Sequence, residues 1–260
     1  MKKKWFVAEL FLLVGILMGC SQPFDTYRED ETTAETTVES AAWESIDTET
    51  FRETIQGETE TAEVAECFSS MEILPEGEIF ERINGCSYQE NDNIPLEELR
   101  YVQVLYYGFD GETHMGELIV NREIAEDVLE IFQELYEAQY PIERMELVDN
   151  YGGDDEASMA ANNTSAFNYR TISGTSRLSN HSYGKAIDLN PFYNPYVYTS
   201  KDGQIHCEPA EAVEYEDRSK DFPHKIDQED LAWKLFTAHG FSWGGDWNTR
   251  KDYQHFEKIE

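Results

Sequence analysis

Between Ser21 and Glu66 the chain carries fourteen Asp or Glu against only Arg28 and Arg52, set among many Thr and few aliphatic residues. Such a stretch cannot bury enough apolar surface to offset the entropy lost on ordering, and its like charges repel, so it reads as a solvated, disordered tether. A weak surface helix through Trp43, Ile46 and Phe51 is the competing pattern, and the Thr content argues against it. The folding unit is thereby confined to residues 67–260, long enough for one domain with a real core built on many Tyr, Phe and Trp. The formal net charge of -33 excludes nucleic acid as a partner, because phosphate binding needs clustered Lys and Arg and no cluster follows Lys2, Lys3 and Lys4.

Those three lysines precede an apolar run from Trp5 to Met18 that is too short for an ordinary spanning helix and reads as an export signal. Leu17-Met18-Gly19-Cys20 resembles the lipobox of bacterial lipoproteins, which implies cleavage before Cys20 and a lipid on its thiol. Glu9 inside the run and Met18 depart from the usual pattern; a plain secretory signal or an uncleaved anchor are the other readings. The expected division is a signal peptide with lipobox at 1–20, an acidic tether at 21–66 and the folded domain at 67–260. With Cys20 lipidated, Cys67, Cys86 and Cys207 remain, an odd number outside the cytoplasm, and a Cys67–Cys86 disulfide is one open pairing.

Within the domain, Tyr101 to Phe109 and Glu117 to Val120 are β-rich runs around Asp110-Gly111, the dipeptide favoured where a tight hairpin needs positive φ. Asn121 is placed to cap a helix in which Ile124, Val128, Ile131, Phe132 and Leu135 recur at helical spacing, and Pro141 lies past its end. Tyr151 to Asn163 reads as a polar loop, and Gly184 to Leu189 as a strand on which Ala186 and Asp188 share a face. From Pro191 to Lys225 no periodicity emerges, so this is read as a long insertion and a substrate rim. A second helix is expected from about Gln228 to His239, stopped by Gly240, followed by short strands at Phe241 to Gly245 and Tyr253 to Phe256. The mixed order predicts an α+β fold, a small antiparallel sheet packed on helices with a metal site in a cleft on the sheet.

The chemistry sits in two segments, Ser179 to Asp188 (S-N-H-S-Y-G-K-A-I-D) and Asp252-Tyr253-Gln254-His255, which offer two His and one or two Asp to a single ion. Zinc takes imidazole nitrogen and carboxylate oxygen, and a site with three protein ligands leaves a place where water becomes a nucleophile near neutral pH. The residues therefore read as a zinc hydrolase. His239, at a helix C-terminus, is explained by the helix dipole, and His114, His206 and His224 fall in turn-like segments where surface exposure is the default. Asp154 and Asp155 beside Gly152-Gly153 only faintly suggest a calcium loop, since the EF-hand spacing is absent.

The run from Ser179 to Asp188 fits the pattern Ser-x-His-x-x-Gly-x-Ala-x-Asp in full, and with Asn162 to Arg170, Gly240 to Trp247 and Asp252 to Phe256 it resembles the D-alanyl-D-alanine carboxypeptidase and L-alanyl-D-glutamate peptidase family of zinc enzymes, notably its endopeptidase-like branch. The resemblance spans roughly Tyr101 to Glu257. It implies zinc as cofactor, held by His181, Asp188 and His255, with Asp252 as general base and Arg170 neutralising the oxyanion. The dipeptide-cleaving branches usually have Glu where this chain has Asp252. Other roles weighed for these two residues are support of His255 through a hydrogen bond that Asp252 accepts from its imidazole, and a structural salt bridge for Arg170. Ser179 is read as structural, and Trp243 and Trp247 as core and cleft wall. The implied substrate is an amide in the peptidoglycan stem peptide, between L-alanine and D-glutamate or at a D-alanyl end, and the implied setting is a monomer anchored through Cys20 on the outer face of the cytoplasmic membrane. The rival from another class is a non-catalytic zinc module that binds wall fragments or another protein, against which the pairing of Asp252 with Arg170 argues.

Overall fold

The computed structural model describes residues 67–172 and 175–259. The leader with Cys20 and the acidic stretch 21–66 lie outside the described residues. Strand β1 (Ser69–Glu72) and the short helix α1 (Glu78–Ile83) lead into a long hairpin, β2 (Leu99–Tyr107) and β3 (Thr113–Asn121). Its tip is the expected turn: Tyr107 pairs with Thr113, the Gly108 amide donates to the Glu112 carbonyl, and Gly111 takes φ +82. Alternation along both strands buries Val102, Val104, Leu118 and Val120 on one face. Helix α2 (Ala125–Glu137) lays Val128, Ile131, Phe132 and Leu135 onto that face, as the helical spacing predicts.

Asn121 does not cap this helix. It ends β3, four residues before Ala125, and its side chain accepts from the Glu123 amide while donating to the Tyr183 carbonyl. The supposed loop Tyr151 to Asn163 also holds more structure than polarity suggested. After β4 (Arg144–Met145) comes α3 (Asp155–Ala160), capped by Asp154, whose carboxylate accepts from the Ala157 amide, and then β5 (Asn163–Thr164). Asp154 is thus a helix cap. Beyond β6 (Ala186–Asp188), the stretch read as a long insertion without periodicity forms a hairpin of β7 (Tyr196–Thr199) and β8 (Ile205–Glu208). Farther along it, the Arg218 guanidinium donates to Tyr193, Asn194 and Ile226 and lies 4.3 Å from the Tyr253 ring, which ties the insertion to the C-terminal segment.

Helix α4 (Leu231–Ala238) is shorter than expected because Asp230, not Gln228, caps it. Gly240 closes it at φ +83. Strands β9 (Ser242–Trp243), β10 (Arg250–Asp252) and β11 (His255–Glu257) complete the chain. The α+β class holds, but the expected single sheet is divided. Three antiparallel sheets form, ordered β1-β2-β3, β6-β11-β9 and β10-β7-β8, with β4 and β5 in a small parallel pair. Of the short strands only β1 extends the hairpin sheet, and those after β6 are set apart from it by turns such as Asn190 at φ +44 before Pro191. No disulfide joins Cys67 to Cys86.

The last strand is seated on aromatic packing. Phe236 is fully buried, stacks on Phe256 at 4.3 Å and meets Phe132 and Phe241 edge-on. Phe236→Ala is expected to destabilise the domain by about 3–5 kcal/mol in chemical denaturation; a loss below about 1 kcal/mol would show that β11 is held some other way.

Candidate metal centre

The motif segment begins as a tight turn. Ser179 accepts a hydrogen bond from the His181 amide, opening a short 3₁₀ turn (Asn180–Tyr183) that Gly184 ends at φ +64. Glycine is required there twice over. A Cβ would lie 2.6 Å from the Asn121 nitrogen, because the Gly184 carbonyl accepts from that amide and pins the turn to the end of β3. Ser182 locks the other side: its hydroxyl donates to the Arg170 carbonyl and accepts from the Arg170 amide. Ala186 is fully buried in β6, and the strand alternation then sends Asp188 to the same face.

Register completes the site. Strand β11 runs antiparallel to β6 with His255 directly opposite Asp188, so residues distant in sequence become cross-strand neighbours. His181 Nε2 lies 3.1 Å from Asp188 Oδ2 and 3.1 Å from His255 Nδ1, and His255 Nδ1 lies 3.0 Å from Asp188 Oδ1. The ligand-type atoms of the three residues all fall within 4.8 Å of one another, and all three side chains are buried.

The outward nitrogens settle the tautomers. His181 Nδ1–H donates to the Ala166 carbonyl at 2.5 Å, and His255 Nε2–H donates to Glu257 Oε2 at 3.1 Å. In its neutral form each ring would therefore turn a lone pair toward the other and toward a carboxylate. Electron-rich atoms packed this way demand a positive charge between them. The donor set fits zinc: ligands at roughly 2.0–2.2 Å in a tetrahedron stand roughly 3.3–3.6 Å apart, a few tenths more than observed. The outer hydrogen bonds are those that orient metal-binding imidazoles.

The charges of the chain tell the same story. Burial alone would lower the His255 imidazole, yet hydrogen bonds to Asp188 and Glu257 push it up to about 10. Burial works to raise Asp188 and is outweighed by the His181 charge and the hydrogen bonds from both imidazoles, which hold it well below the usual carboxylate range. The site thus collects positive charge, and a divalent cation competes with a proton for it.

Asp252 lines the same cleft, a cavity of about 730 Å³. Its Oδ1 is buried and has no hydrogen-bond partner among the described residues. Burial drives its carboxyl up to about 7, opposed by His255 and reinforced by Asp188. The carboxylate that holds His255 is Glu257, itself gripped by Asn180 Nδ2 at 2.5 Å. Glu257 was not singled out in the sequence, although it lies two residues from His255 and hence on the same face of a strand. Arg170 also lines the cleft, but its guanidinium is engaged by Asp155 at 2.6 Å and its Nε is buried without a hydrogen-bond partner among the described residues. Trp247 stands over His255 with ring centroids 5.4 Å apart, while Trp243 is buried and donates to the Tyr253 carbonyl. The remaining histidines lie elsewhere: His239 ends α4 and meets Asp127, and His114, His206 and His224 stack on Tyr106, Tyr198 and Phe109.

Residues 173–258 match the model of a family described as D-alanyl-D-alanine carboxypeptidase, so the resemblance first read in the motif is borne out over this stretch. The match begins after Arg170. A peptidoglycan L-alanyl-D-glutamate endopeptidase, CwlK of Bacillus subtilis (strain 168), is 35% identical over 81 residues, which make up 31% of this chain and 40% of that relative. This chain thus spans about 40% of the length of the curated relative it matches. No solved structure matches the chain.

Because Glu257 fixes the ring of His255, Glu257→Ala is expected to weaken zinc affinity about 10- to 100-fold, measured by competition with a chromogenic chelator. An unchanged affinity would mean that the ring is oriented by packing alone.

Proposed function

We propose that this chain, with the D-alanyl-D-alanine carboxypeptidase match at residues 173–258 as premise, is a zinc-dependent peptidase that hydrolyses an amide bond of the peptidoglycan stem peptide. The observation that carries the reading is the convergence of His181 Nε2, Asp188 and His255 Nδ1 at a cleft where Asp252 Oδ1 lies buried with no hydrogen-bond partner among the described residues. Those three groups would hold the ion, and zinc there supplies a Lewis acid for the carbonyl and lowers the pKa of water. Asp252 Oδ1 takes the proton of the attacking water and returns it to the leaving nitrogen. Arg170 supplies positive charge for the developing oxyanion once substrate loosens it from Asp155. Trp247 keeps bulk water from the His255 side of the cleft.

Between the two bonds considered, the L-alanyl-D-glutamate amide is favoured, since Asp252 stands where the carboxypeptidase branches usually have Glu and the matched relative carries that activity in its name. The leader and acidic stretch would anchor a monomeric enzyme through Cys20 and let the domain reach the wall from the outer face of the membrane. The engagement of Arg170 by Asp155 favours a second reading, a zinc-holding module that binds wall fragments without cutting them.

Digestion of purified muropeptides followed by mass spectrometry, with zinc measured on the same sample, tests the reading and identifies the bond. Stripping the metal with a chelator should abolish hydrolysis and zinc should restore it; turnover that persists in metal-free protein would sink the mechanism. Asp252→Asn should lower kcat about 10²- to 10⁴-fold with zinc content unchanged, whereas full activity in that variant means another base. A base acts only when deprotonated, so turnover should rise as pH is raised toward and through about 7, with a bound cation moving this limb to lower pH. The limb should vanish in Asp252→Asn.

A further inference from the structure

The sheet β10-β7-β8 turns a patterned face into the cleft. Across it, Asp252 pairs with Tyr196 and Tyr196 with Glu208, while one pleat farther on Arg250 pairs with Tyr198 and Tyr198 with His206. Directly opposed residues, and residues two apart on one strand, share a face, so Arg250 and Asp252 project the same way, roughly 7 Å apart along β10. Tyr196, Tyr198, Arg250 and Asp252 all line the cavity.

The arginines of this acidic chain divide: with 53 Asp and Glu against 20 Lys and Arg, Arg82, Arg100, Arg122 and Arg170 each pair with a carboxylate, whereas Arg144, Arg177 and Arg218 make no ion pair among the described residues. Arg250 has no carboxylate within ion-pair reach among the described residues. Instead its Nη1 donates to the Tyr196 hydroxyl at 3.1 Å, and its guanidinium carbon sits 5.7 Å from the centre of the Tyr198 ring. One donor is spent on orientation, and the others of the planar fork are left for a ligand. Arg177 lines the cavity as well, but among the described residues no aromatic ring seats it as Tyr198 seats Arg250.

We propose that Arg250, seated on Tyr196 and Tyr198, is a specificity residue that binds a free carboxylate on the residue supplying the leaving amine. The proposal rests on the peptidase reading and narrows it. The placement is right for such a group: the base that must hand a proton to the leaving nitrogen is Asp252, and Arg250 is the next residue on that face of the same strand. Both candidate bonds have the feature, because a γ-linked D-glutamate keeps its α-carboxylate beside the cut amide and a terminal D-alanine ends in one. An ordinary α-linked peptide interior has none, since that carboxyl is consumed in the next amide. Arg250 would thereby exclude general proteins from a cleft otherwise able to hold an extended chain.

The test uses the zinc-loaded full chain and two synthetic stem peptides that differ only at the carboxyl beside the cut bond, free in one and a carboxamide in the other. The free acid should show kcat/KM about 10- to 100-fold higher, mainly through KM, as for a charge-assisted hydrogen bond. Arg250→Gln should collapse that ratio toward one, and Arg250→Lys should keep part of it. A parent enzyme indifferent to the carboxamide, or an Arg250→Gln variant that keeps the full ratio, overturns the assignment while leaving the peptidase intact. Calorimetric titration of the carboxylate-bearing product fragment into metal-free protein gives a second readout: binding should weaken in Arg250→Gln, with circular dichroism reporting that the variant is folded. Should the parent cut neither peptide, the peptidase reading falls, and the titration alone decides whether Arg250 holds a carboxylate.

Discussion

The rest of the site depends on one register, the antiparallel pairing that sets His255 opposite Asp188. A slip of one residue would turn His255 to the other face of β11 and move Glu257 with it, so both the ring and the carboxylate that orients it would be lost together. Two things hold that register. Phe256, between the two functional residues, points the other way into a fully buried stack with Phe236, and on its far side β11 pairs with β9. The hydrophobic core therefore chooses which residues of β11 face the cleft.

The same economy operates in the turn that presents His181. Gly184 allows the turn to press against the end of β3, and Asn121 answers with its amide on Gly184 and its side chain on Tyr183. The long hairpin, remote from any chemistry, thus becomes the bench on which the histidine is mounted. Rigidity of this kind matters because opposing lone pairs at about 3 Å repel unless a cation lies between them, and the surrounding structure must hold them in place meanwhile.

Charge in this chain is distributed to serve the cleft. An excess of carboxylates accompanies a site that gathers positive charge, and several cations, Arg82 and Arg122 among them, are taken up in ion pairs away from the cleft. What distinguishes the cleft wall is therefore an arginine held by tyrosines rather than by an acid. Arg170 shows the contrary arrangement, since Asp155 at the start of α3 already competes for it.

Much was legible in the residues themselves. The alternation of the hairpin, the stripe of α2 and the Gly-containing motif each encode a local geometry, because side-chain period, positive φ and sterics act within a few residues. Where local cues ended, so did the reading. Asp154 read as a loop residue until it capped α3, Asn121 read as a cap until its side chain reached Tyr183, and the stretch from Pro191 to Lys225 gave no sign of the β7–β8 hairpin. Sequence alone determined the identity of the candidate donors and the turn that bears the first of them. Only the tertiary structure decided that His181, Asp188 and His255 meet, that Glu257 rather than Asp252 orients the ring, and that Arg250 faces the cleft, because those outcomes depend on strand register and burial, which couple residues that the chain keeps far apart.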